Sequence, residues 1–251
     1  MLELVAHTRL DLARSAARHG RGLFETIRVE EGRPLRLPLH LERMARGCAF
    51  LEMDEPPETA AVASWLEAHT PCRHLALGVL RLVALDDRLL AWAEPLEPGP
   101  AGAVEVGLAR SLARFSRSPL NRHKTLSYLE NALLAREAEA RGLYEVLALN
   151  EAGGLTDGSR CNVLLVRGNQ VLTPPVEAGA LPGTLRALLL AAGGVQEAPL
   201  DAGDLAGAEA LLLCNALREL IPVATLEGRG GLDPDPPALA RLRAAVAAAK
   251  G

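Results

Sequence analysis

Between Arg110 and Asn121 the chain loses the hydrophobic periodicity it carries on either side, and this stretch holds Ser116, Ser118 and Pro119. Proline and hydroxyl residues without a repeating apolar face mark a connection rather than a packed element. The break constrains the fold because mixed helix and strand patterns lie on both sides of it, so each side has to build its own core. At 251 residues the chain has room for two domains of ordinary size. The expected division is an N-terminal α/β domain over residues 1–112, a linker over 113–120 and a C-terminal α/β domain over 121–251. Domain seams of this kind are common ligand sites.

Before the break, residues 23–29 alternate as a strand, Glu31-Gly32-Arg33-Pro34 reads as a turn, and residues 35–37 read as the returning strand. A helix is expected from Pro38, with His40, Leu41, Met44, Ala45 and Cys48 at three-to-four spacing, and a second after Pro56-Pro57. Residues 75–85 and 89–93 read as an antiparallel pair, and 104–109 as a further strand. Beyond the break, residues 125–141 carry the strongest helix pattern, closed by Gly142. Strands are expected at 145–150, 162–167, 170–173, 210–214 and 221–226, with helices at 185–192 and 237–250. Aromatic residues make up only 3% of the chain, so both cores have to come from Leu, Val and Ala.

A net charge of −4 and a pI near 5.9 give no electrostatic case for nucleic acid or an anionic membrane. Cys48, Cys72, Cys161 and Cys214 stand far apart with no C-x-x-C pair, which suggests neither a metal site nor a disulfide framework and fits a reducing cytoplasm. The opening residues Met1 to His7 contain an early acid and no long apolar run, so no signal peptide is expected. The most apolar windows, at 185–192 and 208–214, fall short of the roughly 20 residues a membrane span needs. The expected protein is soluble and cytoplasmic, with a small molecule as its partner.

Four pieces beyond the linker carry chemistry. Lys124 opens the helix pattern, and Asp157 sits in the turn Gly154 to Asn162. Pro182-Gly183-Thr184 begins another helix, whose free N–H groups and dipole favour an anion. Asn215-Ala216 stands at a strand end, and Arg43, on the first helix, is a further phosphate candidate. Pyridoxal phosphate calls for such a set: a lysine for the Schiff base, a carboxylate to keep the pyridine nitrogen protonated, and an anion site for the phosphate.

With those residues in view, the chain resembles the fold-type IV pyridoxal-phosphate enzymes, the group of branched-chain and D-amino-acid aminotransferases and aminodeoxychorismate lyases. The resemblance rests on Gly22-Leu23-Phe24-Glu25-Thr26-Ile27-Arg28, His40-Leu41-Glu42-Arg43, Lys124, residues 155–162, Thr173-Pro174 and Leu181-Pro182-Gly183. It implies two α/β domains with the cofactor between them, in a homodimer. It also implies Lys124 as the Schiff-base lysine, Arg43 as a phosphate ligand, Asp157 at the pyridine nitrogen, and the backbone around Gly183, Thr184, Asn215 and Ala216 at the phosphate. Phe24, Thr26 and Arg28 would face the substrate, with Thr26 at the leaving group and Arg28 as carboxylate clamp. His123, beside the lysine, is read as structural, and Tyr128 as a neighbour of Lys124.

Within the group, Cys214-Asn215-Ala216-Leu217 followed by Ile221-Pro222-Val223 is similar to the lyases, which act on 4-amino-4-deoxychorismate to give 4-aminobenzoate and pyruvate in folate biosynthesis. The alternative within the group is a branched-chain or D-amino-acid aminotransferase, and the alternative of another class is a non-catalytic relative used for binding. The chain departs from the pattern in carrying Asp157 where the group usually has Glu, and Thr184-Leu185 where Ile-Thr often follows the glycine.

Overall fold

The computed structural model describes residues 1–6, 15–69 and 71–249. His7 and Lys250, which enter the readings of the N-terminus and the last helix, lie outside them. The described chain forms two compact units. One comprises Met1–Pro98 with His123–Tyr128, and the other Gly99–Arg122 with Leu129–Ala249.

The first unit holds β1 (Glu3–Ala6), α1 (Ser15–His19), β2 (Gly22–Glu30), β3 (Arg33–Pro34), α2 (Leu37–Phe50), α3 (Thr59–His69), β4 (Leu77–Leu85) and β5 (Arg88–Pro95). The sheet order is β1-β5-β4-β2-β3, antiparallel except for the β1–β5 pair. Alternation sorts β2 into two faces. Leu23, Glu25, Ile27 and Val29 are buried, while Phe24, Thr26, Arg28 and Glu30 are half-buried on the other side. The buried face packs on Leu37, Leu41, Met44 and Cys48 of α2 and on Val62 and Leu66 of α3. This core is aliphatic, as the composition requires.

The second unit holds β6 (Val104–Leu108), α4 (Leu129–Ala140), β7 (Glu145–Leu149), β8 (Leu155–Gly158), β9 (Asn162–Arg167) and β10 (Gln170–Thr173). It continues with α5 (Thr184–Ala191), β11 (Gln196–Glu197), α6 (Ala202–Gly207), β12 (Ala210–Asn215), β13 (Glu219–Leu226), β14 (Gly230–Gly231) and α7 (Pro237–Ala248). Its mixed sheet runs β11-β10-β9-β12-β13-β6-β7-β8, with β14 on β13. One side of the β9–β12–β13 region packs inward through Val163, Leu165, Leu211, Leu213, Ile221 and Val223. The other packs through Leu164 and Leu212 on Leu185 and Leu189 of α5 and on Leu239 and Leu242 of α7.

Three expectations are corrected. Residues 35–37 do not form the returning strand; Arg33–Pro34 does, and Arg36, at φ 56°, turns the chain directly into α2. The helix expected from 125 starts at Leu129. Residues 123–128 are extended because they find strand partners: the Phe24 N–H donates to the Lys124 carbonyl (2.9 Å) and the Leu126 N–H to the Gly22 carbonyl (2.9 Å), which overrides local helix propensity. The division at 1–112, 113–120 and 121–251 also shifts. The chain passes between units at 98/99, and Lys124 belongs with the first unit, not with the C-terminal part. The expected linker is stitched to the second unit by Arg114, whose N–H donates to the Leu149 carbonyl, and by Ser116, whose N–H and Oγ both reach Glu151.

Candidate active site

Lys124 is placed by the strand contacts just described. Gly22 makes them possible, since a Cβ there would lie 2.7 Å from the Ala84 carbonyl oxygen and 2.7 Å from Leu126. The half-buried Lys124 Nζ stands 4.1 Å from the centre of the Phe24 ring and 4.7 Å from that of Tyr128. It also donates to the Tyr128 Oη at 3.5 Å, a long bond. The two rings meet edge to face at 5.0 Å. The amine is thus held beside two aromatic groups, which orient the nitrogen. Tyr128 does neighbour the lysine, through an extended turn rather than along a helix face. His123 points elsewhere and stacks on Phe50 with ring centres 4.3 Å apart.

Thr26 and Arg28 follow Phe24 on the same half-buried face of β2. Arg28 donates through Nε to Glu30 Oε1 at 2.7 Å. In the β2–β4 register Thr26 lies opposite Arg81, so Arg81 shares this face.

Arg43 is on the other side of the strand. It is buried and clamps Glu25 in a fork, Nε to Oε1 at 2.8 Å and Nη2 to Oε2 at 2.6 Å, while His40 Nδ1 meets Oε2 at 2.6 Å. Burial alone would push the Glu25 carboxyl up, but the Arg43 and His40 charges and hydrogen bonds outweigh it and bring it down to about 2. Burial depresses His40. The Glu25 charge raises Arg43 against the cost of burial, and Tyr128 adds to the rise, so the guanidinium lies near the tyrosine as well. A guanidinium gripped on one edge by Glu25 is rigidly aimed, which suits a phosphate ligand.

In the second unit Asp157 sits on β8 among four buried residues. Its Oδ2 accepts the Leu181 N–H at 2.9 Å. Its Oδ1 is buried without a hydrogen-bond partner, although the Arg114 Nη2 stands 3.4 Å away. Burial raises this carboxyl to about 6, the nearby Arg114 charge and the Leu181 bond only partly opposing it, while Glu145 adds to the rise. Glu145 is itself fully engaged. It accepts from the Ser159 N–H, the Ser159 Oγ and the Arg160 N–H at 2.7–3.0 Å.

The loop before α5 is fastened to the same strands. Asn162 Nδ2 donates to the Leu181 carbonyl at 2.8 Å, and a Cβ on Gly183 would fall 2.0 Å from the Asn162 Oδ1, so only glycine fits. Gly183 caps α5 without a side-chain cap, and Thr184 is buried at the first turn. Asn215 lies one residue past Cys214, the strand partner of Asn162. Its Oδ1 accepts from the Leu217 and Arg218 N–H groups (3.0 and 2.8 Å) and its Nδ2 meets Cys161 Sγ, so the side chain shapes the turn that carries Ala216. Burial pushes the Cys161 and Cys214 thiols well up, to about 12 for Cys214, so neither is a nucleophile at neutral pH.

The structure therefore brings Phe24 to Lys124 and sets Thr26 and Arg28 on the same strand face. It puts Arg43 on the opposite face, and in the second unit links Asp157 on β8 to the loop before Gly183 and Thr184 through Leu181, with Asn215 and Ala216 past the strand partner of Asn162. Sequence reading missed Glu25, Arg114 and Asn162. Glu25 looked like one more residue of an alternating strand, and Arg114 lay in the stretch without periodicity. Asn162 was visible only as part of a motif. The residues present fit pyridoxal phosphate on one decisive point: the unpartnered Asp157 Oδ1 is a buried acceptor of the kind a protonated ring nitrogen needs. Among the described residues no cluster could hold a metal ion, and no helix is long and apolar enough to cross a membrane.

Comparison with known proteins agrees. The family model described as amino-transferase class IV matches residues 22–226. The aminodeoxychorismate lyase of Bacillus subtilis is 24% identical over 230 residues, covering 83% of this chain and 78% of its own. A bifunctional aminodeoxychorismate lyase and D-amino acid transaminase of Mycobacterium tuberculosis is 25% identical over 244 residues, covering 85% and 84%. The solved structure of a hypothetical aminotransferase from Mycobacterium tuberculosis in its PLP-bound form superposes with a TM-score of 0.76 at 25% identity, over 97% of this chain and 94% of that one. Relatives of similar identity carry D-alanine and branched-chain aminotransferase names.

Proposed function

The chain belongs to the class IV amino-transferase family, and from that premise we propose that it is a lyase converting 4-amino-4-deoxychorismate to 4-aminobenzoate and pyruvate. The fold is the two-domain fold-type IV architecture expected from the sequence, and the family's cofactor is pyridoxal phosphate. When bound, that cofactor supplies the electron sink that stabilises negative charge on the substrate carbon bearing nitrogen.

The residues divide the work as follows. Lys124 would hold the cofactor, and its Nζ, which Phe24 and Tyr128 orient, would take the proton from the carbon bearing nitrogen. Asp157 Oδ1 would accept a hydrogen bond from the ring nitrogen. The residues that would hold the phosphate are Arg43 of the first unit and, in the second, the N-terminus of α5 around Gly183 and Thr184 with the backbone at Asn215 and Ala216. Thr26 Oγ1 faces the ether oxygen of the leaving enolpyruvyl group, and Arg28 holds a substrate carboxylate, with Glu30 keeping its guanidinium in place. Loss of the ring proton and departure of the enolpyruvyl group, which takes up a proton, balance the reaction and leave the aromatic product.

The observation that carries the lyase reading is the shared face of β2. Thr26 stands between Phe24, which touches the lysine amine, and Arg28, so a hydroxyl accompanies the base on the surface that meets substrate. A second reading, an aminotransferase, has Arg81 in its favour, because two arginines on one sheet face suit an amino acid with two carboxylates. The assay that separates them supplies 4-amino-4-deoxychorismate in one vessel and amino acid with keto acid in another. Formation of 4-aminobenzoate is expected; rapid half-transamination with no aminobenzoate would sink the lyase reading. A chain that stays colourless with pyridoxal phosphate would instead support a binding relative without catalysis.

We place the protein in the cytoplasm, on the strength of Cys48, Cys161 and Cys214, buried thiols that form no disulfide among the described residues. We also propose a homodimer. Leu129 and Leu133 on one face of α4, with Phe115 and Leu120 from the preceding loop, are apolar and exposed, and a second copy would cover them.

A further inference from the structure

We propose that Arg114 is a positioning residue for Asp157, holding its carboxylate ionised and its Oδ1 aimed as an acceptor for a cationic ring N–H. The inference rests on the pyridoxal-phosphate reading of the site. Its basis is how the guanidinium is spent. Nη1 donates to Glu130 Oε2 at 3.2 Å and to Asn131 Oδ1 at 3.1 Å. Nη2 donates to the Gly158 carbonyl at 3.4 Å and stands 3.4 Å from Asp157 Oδ1, an ion-pair contact too long and poorly aligned to satisfy that oxygen. Asn131 in turn donates to the Ser159 carbonyl at 2.9 Å, so the residues just after Asp157 are held from the same side.

The consequence is a carboxylate with a positive charge beside it and an acceptor oxygen left over. A direct bidentate grip, such as Arg43 has on Glu25, would ionise the acid but use both oxygens. Here Leu181 takes Oδ2 and Arg114 supplies charge to Oδ1 without occupying it. The groups facing Asp157 are Arg114 from the loop after β6 and Glu145 from β7, with Glu130 of α4 behind the arginine. Glu145 opposes ionisation, so Arg114 is the cation that permits it. A raised carboxyl near 6 fits this balance: burial raises it, and Arg114 keeps it below neutrality. The group's usual glutamate would reach one methylene further. An aspartate stays back against the guanidinium, which makes this chain more dependent on Arg114.

The test uses the full-length chain with carboxyl-labelled aspartate, Asp157 being assigned by loss of its signal in Asp157→Asn. Carbon NMR titration without cofactor is expected to show the Asp157 midpoint rising by about 1–3 units in Arg114→Gln, the size of effect an adjacent opposite charge has. Arg114→Lys, which keeps a charge but not the fork, should shift it upward by less. Affinity for pyridoxal phosphate should fall about tenfold at neutral pH in Arg114→Gln and recover at higher pH as Asp157 ionises, whereas a purely structural role would lower it at every pH. An Asp157 midpoint unmoved in Arg114→Gln overturns the assignment, and if that variant does not fold, an unmoved midpoint in Arg114→Lys does so. Borohydride trapping of the wild-type chain with pyridoxal phosphate runs alongside. Absence of an adduct at Lys124 defeats the cofactor reading, while the two midpoints still decide what Arg114 does to Asp157.

Discussion

Glu25 and Asp157 are both buried carboxylates facing an arginine, one in each unit, yet burial and partners drive them in opposite directions. Glu25 goes down to about 2 and Asp157 up to about 6. The difference is in the number of bonds. Glu25 receives two from Arg43 and one from His40, which together overcome the desolvation that affects both acids. Asp157 receives one backbone N–H and only a long, poorly aligned approach from an arginine at 3.4 Å. A saturated buried acid serves the fold, and an under-bonded one has capacity for a ligand.

The largest expected effect separates the two by stability. Glu25→Ala strands a buried guanidinium, and breaking a buried pair from one side costs about 3–5 kcal/mol. Asp157→Asn removes a poorly compensated buried charge at nearly constant shape and should leave stability at neutral pH unchanged or raised, while abolishing tight pyridoxal-phosphate binding. Urea denaturation of both variants, with cofactor titration, checks this. Equal destabilisation would break the comparison.

Next comes pH. Glu25 binds its proton less tightly folded than unfolded, so its stabilisation is complete above about pH 4.5 and is lost as pH falls toward 2, about 3 kcal/mol in all. Asp157 has the reverse sign. The folded chain holds its proton more tightly than the unfolded one, so stability without cofactor declines by about 3 kcal/mol as pH rises from about 4 to about 6. Subtracting the Asp157→Asn profile from that of the wild type should isolate the second limb. Glu25→Gln, if it folds, should remove the first.

A smaller effect sharpens the first side. Arg43→Lys keeps the charge beside Glu25 but loses the fork, because an ammonium cannot present two parallel N–H groups. A loss of about 2 kcal/mol is expected from the one charged hydrogen bond surrendered. Measured against Glu25→Ala, it tells geometry from charge. A lysine variant as stable as the wild type would show that charge alone sets Glu25.

The two acids were not equally legible in the sequence. Asp157 stood in a turn, within a motif, so its role was open to reading even though its one cation was not. Arg114 lies 43 positions earlier in a stretch without periodicity, and nothing local says that it folds back along β7. Glu25 was hidden by its own regularity. In an alternating strand it read as an ordinary position, and only the packing of α2 on β2 brings His40 and Arg43 to it. Lys124 shows the opposite failure, where a strong local pattern misled. The helix signal over 125–141 was real, but its first turn was taken by strand pairing to Gly22 and Phe24. Aliphatic periodicity revealed the layers of both units. The polar partners that distinguish the two acids depend on tertiary proximity, which periodicity does not encode.

The finest distinction concerns Glu130, which pulls on Arg114 from the side away from Asp157. Glu130 is more than half exposed, so its ion pair with Arg114 contributes little to stability, about 0–1 kcal/mol. Two electrostatic consequences of Glu130→Gln nevertheless point the same way. A negative charge near Asp157 disappears, and the guanidinium is released from one of its competing acceptors. Asn131 still holds Nη1, and Gly158 still holds Nη2, so the arginine keeps its place. The Asp157 midpoint should therefore move down by a few tenths of a unit, in the direction opposite to Arg114→Gln and with the global stability unchanged. An upward shift would mean that Glu130 is needed to aim the guanidinium. The second acid would then depend on a chain of two ion pairs, where the first depends on a single fork.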